Sequence, residues 1–522
     1  MDSGGMRKFC GLAFVAVLVA YSSAFLYWMH TVNPLLPVED GGGYLYQSFV
    51  TYDNLKENPA GIASIFLHCE FNRKPPMLFF SVALGYFIFG ESIPAAYLVV
   101  LLWVILIFHL LYGIGAQLGD RCIGLAAVLF TIGFSWFHYT VIAFLTEIPL
   151  LAFLLLGIHL TFKPDVLRDW KKTLLLGLCI SGGILSRLEF TFFFLPVGTY
   201  LIISNLQTLR KGAVLRLAAL VLPVLVLGVP WYWVNYENAV VASRGVAFAS
   251  DKSVLERVLD WENLMYYPRF YYQSSPLFFI LALAALVAAL FSEDSRLKMM
   301  AATVIFVFIV YFFAKAKIVR YVIPVLPLSG VLAGSLVSRL KNKKALAVVL
   351  SLMVCISTQA TYTFFFEYRN GRLEGKPWYL YDKSVELVDL ISRYQTGPAQ
   401  VNPTTYLLGS YNSGNLMAVS RLKGSQIIVN DLVAWVAGGP NYNISAIYFP
   451  WVINTAGYIL RTNRTECAIS YAPIEDCNAV IRNLQAEFER QRSNFTKIGS
   501  IHSELDGEIE IYKRRVDNGS TG

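Results

Sequence analysis

The sequence predicts a polytopic α-helical membrane domain followed by a polar α/β domain. Hydrophobic residues make up 56% of the 522 positions and charged residues only 15%, and the mean hydropathy is +0.52. This composition excludes a single soluble globule. About eleven apolar stretches precede residue 365, whereas the chain from about 366 onward is polar and is interrupted by glycine, proline and asparagine. We therefore expect a membrane domain over 1–365 and an α/β domain over 366–522.

The apolar stretches are placed by the length of helix that crosses a bilayer, roughly 20 residues for a hydrocarbon core of about 30 Å. The stretch at 76–90 is short and directly follows Pro75 and Pro76, which favours a helix at the membrane interface over a span. The predicted spans are 9–28, 94–117, 122–139, 141–162, 173–187, 190–206, 214–234, 276–292, 299–314, 321–338 and 345–365.

Lysine and arginine indicate which side of the membrane each short loop faces, because basic loops stay in the cytoplasm. If the N-terminus with Arg7 and Lys8 is inside, five basic loop clusters fall on that side. They are Arg121, 163–172, 210–216, 296–298 and 339–344. The extracytoplasmic side then receives a large first loop over 30–93, the loop 235–275 and the C-terminal domain. The first apolar segment has no small-x-small site at its exit, so we expect an anchor instead of a cleaved signal peptide. The expected location is a bacterial inner membrane.

The C-terminal domain shows short strand-like runs at 426–429, 446–449 and 508–512. A helix is predicted over 477–492, where Val480, Ile481, Leu484 and Phe488 are spaced as on one helical face. Cys467 and Cys477 lie one short loop apart in this domain, which predicts a disulfide in an oxidising compartment. Four sequons begin at Asn443, Asn463, Asn494 and Asn518; they mark glycosylated surface in a eukaryotic chain and nothing in a bacterial one.

Cys69 also faces outward, and the other four cysteines are in or beside predicted spans, where we expect them to be packing residues. They are Cys10, Cys122, Cys179 and Cys355.

Ionisable residues near a membrane are costly unless they face water or have a function. Asp40 precedes three glycines that would let a substrate approach the backbone closely, although a turn or a helix cap is the alternative. Arg187 and Glu189 could pair with each other, and the basic run at 315–320 could be interfacial anchors. The candidates on the predicted outer side are Asp40, Glu147, Arg187, Glu189, Lys315, Lys317 and Arg320.

Four short motifs follow one another on this side. They are Asp40-Gly41-Gly42-Gly43-Tyr44, Arg73-Lys74-Pro75-Pro76, Thr146-Glu147-Ile148-Pro149 and Arg320-Tyr321-Val322-Ile323-Pro324-Val325-Leu326-Pro327. In this order they resemble the motifs of the polyprenyl-phosphate-dependent glycosyltransferases of the GT-C superfamily, in particular the family 39 type with protein O-mannosyltransferases and the lipid A aminoarabinose transferase. The resemblance spans roughly residues 8–340.

The resemblance implies a GT-C fold and transfer of a sugar from a polyprenyl-phosphate donor to a hydroxyl of a glycan, lipid or protein, with inversion. It implies Asp40 as the general base. Glu147 would be a second catalytic carboxylate, which orients Lys74 or the acceptor. The donor phosphate would be held by Lys74, Arg187, Lys317 and Arg320. The expected substrate pocket contains Glu39, Tyr44, Arg73, Tyr267, Arg269 and Tyr321, although an aromatic belt is the alternative for the tyrosines of the loop before residue 276.

Departures from the family pattern bear on metal and substrate. Gly41 stands where the family has a second acid, Arg73 where it often has glutamate, and Glu147 where it has aspartate. A divalent metal site that uses these carboxylates is therefore disfavoured, and a divalent metal ion is the alternative to a reaction without a cofactor. Trp231-Tyr232-Trp233 lacks the acid of the oligosaccharyltransferase signature, which disfavours transfer of a whole glycan to asparagine. Nucleic acid is not implied.

A transporter or flippase of a lipid-linked glycan is the alternative from a different class, because it would use the same cations to bind a phosphate. The sequence has no clear half-to-half repeat, and the long first loop and the C-terminal domain favour an enzyme.

Overall fold

The computed structural model describes residues 3–31, 40–69, 74–206, 213–236, 260–314, 319–340, 342–363, 365, 381–395, 398–403, 413–425, 427–429, 453–462, 474–503 and 507–515. These residues divide into two compact units. The helical unit comprises the described parts of 3–31 and 51–365. The sheet unit comprises 40–50 and the described parts of 381–515.

The described residues of the helical unit form a series of helices. They are α1 (Ser3–Thr31), α2 (Gly41–Glu57, which begins in the sheet unit), a 3-10 turn (Pro59–Gly61), α3 (Ile62–His68), α4 (Met77–Phe89), α5 (Ile93–Gln117), α6 (Arg121–Ile132), α7 (Ser135–Ile142), α8 (Glu147–Thr161), α9 (Trp170–Ile184), α10 (Phe190–Ser204), α11 (Ala213–Pro223), a π-helical turn (Val224–Gly228), α12 (Val229–Val234), α13 (Trp261–Ser274), α14 (Pro276–Leu290), α15 (Ser295–Phe313), a 3-10 helix (Val319–Val325), α16 (Leu326–Ser338) and α17 (Lys343–Tyr362).

Several helices begin at a side chain that accepts a hydrogen bond from a backbone amide of the first turn, as serine, aspartate and asparagine do at this position. Asp120 accepts from the amide of Cys122 at 3.0 Å and starts α6. Ser92 caps α5, Asp169 caps α9, and Asp294 caps α15 in the same way. These short polar residues fix where the apolar helices start.

Six helices are long and apolar enough to cross a membrane, or seven if the bent pair α6 and α7 is one span, among the residues that the structure describes. The chain is thus an integral membrane protein. Helices occupy the eleven predicted stretches, but several are shorter than a crossing, and the predicted span 122–139 bends by 71°. A Cβ on Gly133, at this bend, would lie only 2.0 Å from the ring of Phe278, so the ring occupies the space of a side chain there. The predicted interfacial stretch is the 13-residue helix α4.

Close packing of α16 on α6 forms the core of the helical unit. Gly330 and Gly334 are one helical turn apart on α16, and a Cβ on either would lie 2.9 Å or 2.5 Å from a backbone oxygen of α6. Small residues at this spacing let two helix backbones approach in a membrane. The helix pair is consequently buried almost throughout.

Cys10 and Cys122 form a disulfide between α1 and α6, with Cα atoms 5.4 Å apart. The prediction that both are unpaired packing residues is therefore wrong. The two cysteines are 112 residues apart, and nothing in the sequence indicates their contact, because it depends on how α1 and α6 pack. Cys179 is buried as predicted, whereas Cys355 is exposed.

The sheet unit contains a five-stranded sheet. Its strands are β1 (Ala399–Pro403), β2 (Ile427–Val429), β3 (Tyr458–Arg461), β4 (Phe495–Ser503) and β5 (Gly507–Arg514), in the order β2-β1-β3-β5-β4. β1 pairs in parallel with β2 and β3, and β5 pairs antiparallel with β3 and β4. The helices of this unit are α18 (Tyr381–Ser392), α19 (Ser413–Leu422) and α20 (Ile474–Arg490), and a 3-10 turn (Arg492–Asn494) precedes β4.

The predicted elements of this unit compare closely with the observed ones. The run 426–429 contains β2, the run 508–512 lies in β5, and the helix predicted over 477–492 is α20. Ile481, Leu484 and Phe488 are fully buried, which explains the helical spacing of the apolar residues. The run 446–449 lies outside the described residues.

Three strands of the sheet unit meet at the carboxylate of Glu510. It accepts hydrogen bonds from Lys497 Nζ at 2.7 Å, Arg461 Nη1 at 3.0 Å and Tyr512 Oη at 2.7 Å. Burial alone would raise the pKa of Glu510, but these donors lower it from 4.5 to about 2. A depressed folded pKa means that the stabilisation is present above pH 4.5 and is lost as the pH falls towards 2.

Replacing Glu510 with glutamine is expected to make the stability of the sheet unit less dependent on acid. The measurement is hydrogen exchange of β5 amides in the intact protein, with wild type and Glu510→Gln compared at the same pH. Protection should be greater in the wild type above pH 4.5, and the difference should shrink as the pH approaches 2. A difference that stays constant across this range would contradict the assignment.

Candidate active site

A buried ion-pair cluster lies where α8, the turn between α9 and α10, and the 3-10 helix before α16 meet. Arg187 contacts Glu147 through Nη1 and Oε1, and it donates from Nη2 to Glu189 Oε1 at 2.7 Å. Arg320 Nε lies 3.6 Å from the same Glu147 oxygen. Glu147 and Arg187 are each 2% exposed. One carboxylate thus bridges two arginines in the interior.

Glu147 is the first residue of α8, and a tight turn from α7 brings it there. Phe144 in this turn has φ of 57°, the left-handed conformation that side chains rarely adopt. The amide of Leu145 donates to the carbonyl of Thr140 at 3.2 Å, as at the end of many helices. The Phe144 ring is fully buried and lies 5.9 Å from the ring of Tyr97. Ring burial therefore holds a costly backbone conformation beside Glu147.

Replacing Phe144 should separate the stabilisation by the buried ring from the strain of the left-handed backbone, in a thermal unfolding experiment in detergent. Phe144→Gly loses the packed ring, at about 3–5 kcal/mol, and relieves the backbone by about 1–2 kcal/mol, so a net loss of about 2–3 kcal/mol is expected. Phe144→Ala loses the ring without that relief and should be about 1 kcal/mol less stable than Phe144→Gly. An alanine variant as stable as the glycine variant would contradict the strain.

Arg187 is held in the turn between α9 and α10. Its amide donates to the carbonyl of Gly183 at 3.1 Å, which continues the last turn of α9. Its Nε also donates to Glu189 Oε2 at 3.3 Å, so two nitrogens bind the two oxygens of one carboxylate. Such forked pairing fixes the guanidinium plane. The alternative that Arg187 and Glu189 pair with each other is confirmed, but Glu147 joins them.

Tyr321 packs under both arginines. Its ring centroid lies 5.1 Å from the Arg187 guanidinium carbon and 5.9 Å from that of Arg320. The Tyr311 ring stacks on it at 5.4 Å. A cation is attracted to the face of an aromatic ring, and this attraction is stronger when the pair is shielded from water. Tyr321 therefore supports the arginine pair from one side, and Tyr311 is a supporting residue that sequence analysis missed.

Lys74 reaches the cluster through Glu189. The amide of Met77, three residues after Lys74, donates to the carbonyl of Leu185 at 3.1 Å and ties this segment to the 185–189 turn. Burial by itself would raise the pKa of Glu189, but the charges of Arg187 and Lys74 hold it well below its usual range. Glu189 is thus an anion between two cations. The sequence offered only its proximity to Arg187 as a signal of this role.

Three basic side chains, Arg187, Arg320 and Lys74, are grouped around the carboxylates of Glu147 and Glu189. Arg320 is 7% exposed and the Lys74 residue is half-buried. Arginine and lysine side chains grouped in this way suit an anionic ligand such as a phosphate.

Asp40 immediately precedes α2, in the sheet unit. Its carbonyl accepts from the amide of Tyr44 at 3.1 Å, and one carboxylate oxygen lies 3.4 Å from the Tyr44 hydroxyl. The three following glycines are buried in the first turn of the helix and do not form the open loop that the sequence predicts. A Cβ on Gly42 would lie 2.3 Å from Asn415 Oδ1, so a neighbouring side chain approaches this backbone.

The other predicted pocket residues differ in their surroundings. Tyr267 is buried and its ring lies 5.1 Å from that of Tyr266, while Arg269 on the same helix α13 is exposed. Cys477 is in α20, but its side chain is not among those described. Residues Glu39, Arg73, Lys317 and Cys467 lie outside the described residues. Within the described ranges, no three His, Cys, Asp or Glu side chains are grouped as metal ligands would be.

The family model and the solved structures that resemble this chain are those of glycosyltransferases. The sequence profile of the family described as dolichyl-phosphate-mannose-protein mannosyltransferase matches residues 73–233. No curated protein matches the chain in sequence. The crystal structure of ArnT from Cupriavidus metallidurans bound to undecaprenyl phosphate is similar to 99% of this chain over 99% of its own, with a TM-score of 0.64 and 12% identity.

Two further solved structures are similar over most of this chain. The archaeal oligosaccharyltransferase AglB from Archaeoglobus fulgidus, in complex with an inhibitory peptide and a dolichol-phosphate, has a TM-score of 0.52 and 12% identity, over 95% of this chain and 74% of its own. The arabinofuranosyltransferase AftD from Mycobacteria has a TM-score of 0.51 and 13% identity, over 98% of this chain and 42% of its own.

These matches confirm the predicted resemblance to the GT-C glycosyltransferases. The matched segment contains Lys74, Glu147 and Arg187, and the likenesses in structure show the fold. The family model covers part of the chain, and the structural likenesses show a fold shared with glycosyltransferases.

Proposed function

We propose that this protein transfers a sugar from a polyprenyl-phosphate donor to a hydroxyl acceptor outside the cytoplasm, with inversion. The observation that supports this most is the group of basic side chains in this cluster, where Glu147 lies between Arg187 and Arg320, and Lys74 interacts with Glu189. A phosphate that gains charge as it leaves requires such preorganised cations.

The proposed reaction is a single displacement. The acceptor oxygen attacks the anomeric carbon while the bond from that carbon to the phosphate oxygen breaks, and its electron pair leaves with the phosphate. The acceptor proton passes to the carboxylate of Asp40 as general base. One displacement inverts the anomeric configuration, and the products are the glycosylated acceptor and the polyprenyl phosphate.

Each cation has its own role in this proposal. Lys74 is half-buried, and the Nε of Arg320 lies 3.6 Å from Glu147 Oε1. We assign both side chains to contact the phosphate. Arg187 is 2% exposed and is bonded to two carboxylates, so we assign it a positioning role. This narrows the earlier prediction that Arg187 binds phosphate directly. Lys317 stays a predicted phosphate ligand.

The side of the membrane and the donor are supported by separate arguments. The distribution of basic loops favours an extracytoplasmic site and an extracytoplasmic domain over 366–522. The bound undecaprenyl phosphate and dolichol-phosphate of the similar structures favour a lipid-phosphate donor. The acceptor is proposed only as a hydroxyl of a lipid, glycan or protein.

The test is transfer of labelled sugar by the purified protein in detergent. Polyprenyl-phosphate donors that carry different sugars are offered with an extract of native membranes as acceptor. We expect labelled product with one donor and an inverted anomeric configuration by nuclear magnetic resonance. Movement of an intact lipid-linked glycan across reconstituted vesicles without transfer would instead support the flippase and overturn the proposal.

A further inference from the structure

We infer that α12 positions Lys74 and the 185–189 turn for the proposed reaction. This inference rests on the proposed function and gives a role to Trp231-Tyr232-Trp233, the motif that lacks the acid of the oligosaccharyltransferase signature. Side chains of α12 and of the residue after it bind the ends of α3 and α9, the helices that end shortly before Lys74 and before the turn. These side chains form the α12 clamp, which consists of Trp231, Tyr232 and Asn235.

The clamp binds the end of α9 through a carbonyl that the helix leaves without a partner, as the last turn of every α-helix does. The carbonyl of Ile184 accepts a hydrogen bond from Tyr232 Oη at 2.8 Å. The next carbonyl, of Leu185, accepts from the amide of Met77 at 3.1 Å. That amide belongs to the first turn of α4, whose amides also lack partners within their helix. Tyr232 and the start of α4 therefore fix the beginning of the 185–189 turn together.

The end of α3 is bound in the same way. Trp231 Nε1 donates to the carbonyl of Cys69 at 3.2 Å, and Asn235 Nδ2 donates to the carbonyl of Leu67 at 2.8 Å. Asn235 Nδ2 also donates to the carbonyl of Trp231 at 2.9 Å, which holds its amide group in place. The chain is therefore anchored shortly before Lys74 by the clamp and shortly after it by the end of α9.

A shared apolar core supports these hydrogen bonds. Trp231 and Leu185 are buried and pack in one cluster. A hydrogen bond in such surroundings is costly to break, because the donor and the acceptor do not then reach water. The side chains that pack against this pair come from α3, α4 and α12, and they are Phe66, Leu67, Met77 and Tyr232.

The π-helical turn before α12 sets which face of the helix carries the clamp. A π-helical turn accommodates an extra residue, so it rotates the residues that follow by about 100° about the helix axis. Leu225 and Val226 in this turn are exposed, whereas Trp231 is fully buried. Trp233, two residues further along, is 82% exposed. The two tryptophans of one motif thus have opposite surroundings, which provides a matched control.

The clamp acts where the two anchored segments meet. Tyr232 interacts electrostatically with Glu189 and Arg187. Glu189 interacts in turn with Arg187 and Lys74. A shift of either segment would therefore move Lys74 relative to the leaving phosphate, and misplacement by about 1 Å can cost about 10²-fold in rate. We assign the clamp a positioning role, because it acts on the phosphate only through Lys74.

The first test is Tyr232→Phe, which removes the hydroxyl that binds Ile184 and keeps the ring. We expect kcat for sugar transfer to fall by about 10–100-fold. KM for the donor should change by less than about twofold, because Lys74 acts on charge that develops only in the transition state. Trp233→Phe changes the exposed ring of the same motif and should transfer sugar at the wild-type rate. An unchanged kcat in Tyr232→Phe would overturn the inference.

A second comparison separates positioning of Lys74 from a general loss of structure. Lys74→Met lacks the cation that the clamp positions. In this background, Tyr232→Phe should lower kcat by less than about twofold further, because two changes that act through one group are not additive. A reduction by the same factor with and without Lys74 would mean that Tyr232 does not act through it, and would overturn the assigned role.

Hydrogen exchange tests the clamp without sugar transfer. The two prolines after Lys74 have no amide hydrogen, so Met77 carries the first reporting amide in a peptide of residues 74–80. It should exchange about tenfold faster in Tyr232→Phe than in the wild type or in Trp233→Phe. Equal exchange in all three proteins would overturn the clamp. A wild type that transfers no sugar from any donor would instead overturn the proposed function, while faster exchange in Tyr232→Phe would still support the clamp.

Discussion

Asp40→Asn is expected to lower the rate of sugar transfer by about 10²–10⁴, the usual contribution of a general base. Asparagine cannot accept the proton of the acceptor hydroxyl, but it is as good as aspartate at the start of a helix. The beginning of α2 and its contact with Asn415 should therefore persist. Transfer is measured with labelled donor, and the thermal unfolding temperature is measured on the same preparations.

Glu57→Gln is the matched control, because Glu57 is an exposed carboxylate at the other end of the same helix. It should transfer sugar at the wild-type rate. A fully active Asp40→Asn would remove Asp40 as the base and return it to the alternative of a helix cap. Loss of activity that follows loss of thermal stability would point to that structural role as well.

The membrane class was predictable because it depends on composition and segment length, which packing does not alter. Short motifs were predictable for a related reason. Pro75-Pro76 directly precede α4, and Pro327 lies in the first turn of α16, where a proline is tolerated because its missing amide has no partner within the helix. The order of these motifs was enough to indicate the GT-C class.

Contacts between distant segments could not be predicted in the same way. Arg187 meets Glu147 across 40 residues only because α8 and α9 pack side by side. Nothing in the sequence around Lys74 indicates that Glu189 is its electrostatic partner, since the bond from Met77 to Leu185 brings them together. The Cys10–Cys122 disulfide was missed for the same reason. Pair identity is a property of the packed helices.

Glu147→Gln is expected to destabilise the helical unit by about 3 kcal/mol, at the low end of the cost of breaking a buried ion pair. The low end applies because Arg187 keeps its pairing with Glu189, whereas Arg320 loses only the Glu147 oxygen that lies 3.6 Å from its Nε. The measurement is thermal or denaturant unfolding of the purified protein in detergent. Glu189→Gln is a useful comparison, because Glu189 is partly exposed and water can replace its contact with Arg187.

The double variant Glu147→Gln/Arg187→Gln decides whether the bridge acts as a unit. It removes both members of one ion pair and leaves the net charge of the cluster unchanged, so it should be less destabilised than the sum of the two single variants, with a coupling of about 1–3 kcal/mol. Additive effects would mean that Glu147 and Arg187 act independently, despite their direct contact. Restored stability with restored transfer would identify Glu147 as a positioning residue, because a carboxylate needed for the chemistry could not be replaced by restoring charge balance.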